Sequence, residues 1–192
     1  MKRAFSISFR SLLLIALLAF TVQAGDIDTN QQFLLLATTK TSTMQKELNQ
    51  AAAAGFRILA GSRTSSDEMV LILENVTELP DLYEYFLLAT SRTRTMNKEL
   101  NQAAARGFRF LPSTLMQKDR VFGATEIVLV MEKAPGVPEK YEYKLLATTR
   151  TGTLQKEMMQ ATEHNFYVVG MVSRGEHIAI LERLATSPVS SK

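Results

Sequence analysis

The sequence predicts an α+β protein built from three tandem βαββ repeats, with three helices on the outer face of one mainly antiparallel nine-stranded sheet or pseudo-threefold barrel. Three observations lead there. The stretches FLLLATTKTSTMQKELNQAAAAGFRIL from Phe33, YFLLATSRTRTMNKELNQAAARGFRFL from Tyr85 and YKLLATTRTGTLQKEMMQATEHNFYVV from Tyr143 align without a gap, which is the signature of a repeat architecture. Within each, a short aromatic and apolar run gives way to helical spacing and then to further apolar runs. The closing runs, which end at Glu74, Glu132 and Glu182, are apolar on both faces, so one helix per repeat cannot cover them and neighbouring repeats must.

Each repeat opens on a strand, as in Tyr141 to Thr148, a short run rich in aromatic and apolar residues. Thr43, Thr95 and Thr153 stand where a helix N-cap belongs, ahead of Met44, Leu48, Ala51 and Ala52 and their counterparts on one helical face. The helices stop at Gly55, Gly107 and Asn165, and Asn is the residue that best replaces Gly in the left-handed conformation that closes a helix. A hairpin follows, from strands Phe56 to Gly61, Phe108 to Leu111 and Phe166 to Val172 into Met69 to Glu74, Ile127 to Glu132 and His177 to Glu182. Pro112 is expected to end the second repeat's strand early, leaving Ser113 to Thr125 as an inserted turn. Strand order one-three-two within each repeat puts the doubly apolar strand in the middle. The repeats span 31–75, 83–133 and 141–184, Pro-containing linkers join them, and a Ser-rich flexible tail occupies 185–192.

Residues 1–24 read as a signal peptide. Lys2, Arg3 and Arg10 precede the apolar run Leu12 to Val22, and Val22-Gln23-Ala24 offers a cleavage site after Ala24. A run of roughly ten residues is half of the about 20 a membrane-spanning helix needs, so no transmembrane anchor is expected after cleavage. No Cys follows the run, which excludes a bacterial lipoprotein anchor and, through the whole chain, disulfides and thiolate chemistry. The formal charge of +3 is the leader's alone: 22 Lys and Arg less those three leave 19, against 19 Asp and Glu. The balance gives no electrostatic reason to expect a nucleic-acid partner.

The aromatic-Glu-Tyr-Lys strand Tyr141-Glu142-Tyr143-Lys144, the helix beginning near Thr153 and the Asn165-Phe166 exit resemble the small bacterial modules of domain-of-unknown-function family 4177. The resemblance extends over each repeat. Those modules commonly carry Trp where Phe56, Phe108 and Phe166 stand, and what the resemblance implies is a fold and no activity.

Six polar positions recur in all three repeats: those of Lys46, Glu47 and Gln50 lie on the helix, and those of Thr38, Thr41 and Thr43 cluster between the first strand and the helix. Lys40 and Thr41, Arg92 and Thr93, and Arg150 and Thr151 place a cation and a hydroxyl beside the free N–H groups of a helix start, an arrangement that attracts phosphate, sulfate or carboxylate. The same threonines also serve the fold by capping helices and ending strands, and that is the reading adopted. Neither His164 nor His177 recurs in the other repeats, which argues against a triplicated catalytic or metal site. Met44 and Met96 share their position with Leu154, so that position selects an apolar side chain and not a thioether ligand. The expectation is a non-enzymatic binding or scaffolding protein of the bacterial periplasm or exterior, with no cofactor, no catalytic residue and, as partner, a protein or an anionic envelope ligand that no motif identifies. The alternative is an enzyme or small anionic-ligand-binding protein that uses the Thr/Arg loops.

Overall fold

The computed structural model describes residues 27–76, 83–119, 124–136 and 139–185. The expected signal peptide, the Asn75 to Leu82 linker beyond residue 76 and the tail from residue 186 lie outside the described residues. In chain order the elements are β1 (Phe33–Thr38), α1 (Thr41–Ala53), β2 (Phe56–Arg63), β3 (Met69–Asn75), β4 (Glu84–Thr90), α2 (Thr93–Ala105), β5 (Arg109–Lys118), β6 (Glu126–Lys133), β7 (Tyr141–Thr148), α3 (Thr151–Thr162), β8 (Tyr167–Ser173) and β9 (His177–Leu184). The protein is α+β, and we call β1–β3 with α1, β4–β6 with α2, and β7–β9 with α3 the first, second and third units. Among the described residues no helix is long and apolar enough to cross a membrane.

Each helix ends as the sequence requires. Gly55 and Gly107 sit at φ 85° and 91°, and Asn165 takes the same left-handed region at φ 60°. Strand order is one-three-two in each sheet, with both ladders antiparallel, so the apolar third strand lies in the middle.

The nine strands do not form the single sheet or barrel expected from the sequence. Their hydrogen bonds make three separate three-stranded sheets, β1-β3-β2, β4-β6-β5 and β7-β9-β8. The physical reason lies at the outer edges of β4 and β7, which the preceding helix closes with its amide side chains. Gln45 on α1 accepts the Leu87 N–H at 2.7 Å through Oε1 and donates to the Tyr85 carbonyl at 3.0 Å through Nε2. On α2, Asn97 accepts the Leu145 N–H at 3.0 Å, and Asn101 accepts the Tyr143 N–H and donates back to its carbonyl, both at 2.9 Å. A side-chain amide presents the same donor and acceptor as a strand backbone, so it satisfies the edge without another strand.

The units therefore meet face to face, and their cores are shared. One cluster joins Met44, Leu48, Phe56 and Leu73 of the first unit to Tyr85, Val128 and Val130 of the second. The next joins Met96, Leu100, Phe110 and Met131 of the second unit to Tyr143, Ile178 and Ile180 of the third. Where β2 and β5 cross, a Cβ on Gly61 would stand 3.2 Å from the Thr114 Cα and 2.6 Å from Leu71 Cδ2, so the crossing admits no side chain there. Among the described residues no further unit packs on the third, whose own buried cluster is Leu146, Leu154, Ala161, Ala179 and Leu181.

Strand β5 does not stop at Pro112. It continues to Lys118 through a bulge between Leu111 and Met116, which places Pro112 where no ladder N–H is needed. Thr114, fully buried, anchors the bulge: its hydroxyl accepts the Val130 N–H at 2.9 Å and donates to the Leu111 carbonyl at 2.7 Å.

Candidate functional site

The three loops singled out by sequence lie at three separate helix starts, and no hydrogen bond or ion pair among the described residues joins one to another. The N-caps are Lys40, Arg92 and Arg150, in extended conformation and without a side-chain capping bond. Thr43, Thr95 and Thr153 therefore stand in the first helical turn and are not the caps expected of them. The threonines that act are Thr38, Thr90 and Thr148, whose hydroxyls accept the N–H of Lys40, Arg92 and Arg150 at 3.2 Å in every unit. This bond two residues ahead turns the strand end into the helix. Thr41, Thr93 and Thr151 open the helices, and Thr93 borders a shallow depression of about 380 Å³ with Arg94, Asn97 and Glu157. The loop before Arg92 is engaged from the third unit, since the guanidinium of Arg174 donates to the Ser91 carbonyl and to that of Thr125 at 2.9 Å.

A better-defined arrangement of charges occupies the seams between units. Glu132 and Glu182, at the ends of β6 and β9, are 7% and 6% exposed. Arg57 of the first unit forks onto Glu132, with Nη2 to Oε1 at 3.1 Å and Nε to Oε2 at 3.3 Å. Arg109 of the second unit does the same to Glu182, with Nη2 to Oε1 at 2.8 Å. Each guanidinium also lies over a tyrosine of the next unit, Arg57 4.7 Å from the Tyr83 ring centroid and Arg109 4.3 Å from that of Tyr141.

A buried phenol completes each latch. Tyr85 donates to Glu132 at 3.1 Å and accepts the Ile58 N–H at 3.1 Å; Tyr143 donates to Glu182 at 2.7 Å and accepts the Phe110 N–H at 2.8 Å. That N–H adjoins the bulges of β2 and β5, so the phenol serves a backbone group and a carboxylate together. Burial is the main cause that holds both phenols well above the ordinary tyrosine range, and the carboxylate beside each adds to it. Both remain donors at neutral pH. The two latches border one groove of about 420 Å³, with Pro112, Pro135 and Tyr141 on its walls.

No family model, curated protein or solved structure matches the chain. In the groove both carboxylates are engaged by a forked guanidinium and a phenol, which hold them as acceptors within the seam. No group of three or more His, Asp or Glu among the described residues is disposed to hold a metal. His177 Nδ1 lies 3.1 Å from Ser173 Oγ at the exposed β8–β9 hairpin, and neither residue recurs at its position in the first two units. What the arrangement does is fasten one unit to the next.

The sequence carried a signal for these latches. Tyr85 and Tyr143 stand at the position held by Phe33 in the first unit, and Arg57 and Arg109 at the position held by Tyr167 in the third. Tyrosine and arginine thus stand on the two sides of each of the two seams seen among the described residues.

Proposed function

We propose that the chain is a triplicated βαββ module, exported to the bacterial periplasm or exterior, that acts without catalysis as a binding or scaffolding protein. The basic residues, apolar run and Val22-Gln23-Ala24 site of residues 1–24 support export. The resemblance to family 4177 supports descent of the units from one small module.

One observation carries the binding reading. All nine large apolar side chains exposed among the described residues belong to the first and third units, and none to the second. Phe33, Leu35, Leu59 and Ile72 occupy one end and Met159, Tyr167, Val168, Met171 and Leu184 the other. Concentrated apolar surface of this kind marks protein contact.

The test is capture of proteins from the native envelope by the tagged chain, read by mass spectrometry beside the Leu35→Glu and Met159→Lys variants. Partners that depend on one of these residues are the expected result. The anion-binding alternative draws on exposed Arg92 and Arg150, whose side chains make no capping bond. Phosphate or sulfate binding that disappears in the Arg92→Gln/Arg150→Gln double variant, with an unchanged melting temperature, would replace the proposed reading with that one.

A further inference from the structure

We propose that the partner of these two faces is a second copy of the same chain, seated head to tail so that α3 of one copy covers β1 of the next. The inference deepens the binding reading and rests on it.

The two internal seams show what each face is built to receive. Leu35 stands where Leu87 and Leu145 stand, and those two pack into the core of the preceding unit. Ile72 is 42% exposed, whereas its counterparts Val130 and Ile180 are 1% and 0% exposed in the preceding unit's core. Leu59 repeats the relation, since Leu111 and Val169 also pack on the preceding core. At the other end Val168 is 47% exposed, while Ile58 and Phe110 at the same position are 5% and 1% exposed beneath the following unit. The small cluster of the third unit is a core that lacks its second half.

The polar pattern fits as well. Gln155 holds the helix position of Gln45 and Asn97 and is exposed. Gln45 closes the edge of β4 at Tyr85 and Leu87. The matching edge of β1, at Phe33 and Leu35, has no such side chain on it among the described residues. In the docked pair, Gln155 accepts the Leu35 N–H and donates to the Phe33 carbonyl of the other copy. The latch is altered and not lost: Tyr167 replaces the arginine, and its hydroxyl meets Glu74, the counterpart of Glu132 and Glu182. With no guanidinium and with Phe33 in place of tyrosine, this seam is weaker than the internal ones. The two faces differ, so the contact is heterologous and each copy can take one neighbour at each end.

The test is the mass of the purified protein across a wide concentration range, by sedimentation velocity and native mass spectrometry. Wild type is expected to exceed the monomer mass increasingly with concentration. Leu35→Glu and Met159→Lys each replace an exposed side chain, and each is expected to raise the dissociation constant at least about tenfold. Mixing them decides the geometry. The L35E chain keeps its α3 face and the M159K chain keeps its β1 face, so the mixture should form a one-to-one dimer that goes no further.

A wild type that stays monomeric at every concentration overturns the proposal, whatever covers the two faces, and leaves the binding reading to its envelope partners. A mixture that stays monomeric overturns it too, as does full assembly by both variants. Should one variant fail to fold by circular dichroism, Ile72→Lys replaces L35E or Val168→Lys replaces M159K, with the same expectations.

Discussion

Leu48→Ala and Leu100→Ala are each expected to destabilise the protein by about 3 kcal/mol, and Met158→Ala by about 1 kcal/mol or less. The three residues hold one helix position in the three units. Leu48 and Leu100 are fully buried, each under the opening and closing strands of the following unit. Met158 is only partly buried against the third unit's small cluster. Removing methylenes costs their transfer energy plus the cavity left behind, and the cavity term requires walls on every side. Only the first two positions have them. Denaturant unfolding of dilute protein measures the difference. Equal losses at all three positions would mean that the third core is complete without a partner.

Glu132→Ala and Glu182→Ala are expected to cost about 2–3 kcal/mol each, and Glu74→Ala less than about 0.5 kcal/mol. All three glutamates end a middle strand at one repeat position, but only Glu132 and Glu182 accept from a buried phenol and a forked guanidinium. Losing the carboxylate leaves Tyr85 or Tyr143 with a buried hydroxyl and no acceptor. Arg57 and Arg109 are 40% and 56% exposed and can turn to water, which keeps the loss below that of a fully buried ion pair. A loss at Glu74 as large as at the other two would show that strand ends, and not the seams, need the acid.

Much of this was legible in the sequence because it is local. Hydrophobic spacing placed the helices and strands, and Gly55, Gly107 and Asn165 marked the helix stops through their backbone requirement. The doubly apolar closing strands β3, β6 and β9 led to the expectation that neighbouring units cover one another, which holds for β6 and β9, whereas Ile72 on β3 stays 42% exposed. Less legible was how they do so. Gln45, Asn97 and Asn101 look like solvated helix polar residues until the helix is seen against a strand edge, and the amide that recurs at 45, 97 and 155 does not by itself say what it binds. That is why one continuous sheet was expected where three exist. Thr114 and the β5 bulge were hidden for a related reason: Pro112 reads as a strand end unless something buried takes over the Val130 N–H. At the candidate loops the repetition of Thr41, Thr93 and Thr151 drew attention to polar residues, while the working charges lay at seams present only twice, where three-way identity cannot point.

The outer edge and second face of the second and third units are closed by the unit before each, and among the described residues the first unit lacks this cover. Amide hydrogen exchange on dilute, monomeric protein tests it most directly, by comparing the N–H groups of Leu35, Leu87 and Leu145. Slow exchange is predicted at Leu87 and Leu145, whose N–H groups are held by Gln45 and Asn97, and fast exchange at Leu35. Protection of Leu35 equal to that of Leu87, or exchange at Leu87 and Leu145 as fast as at Leu35, would contradict the claim.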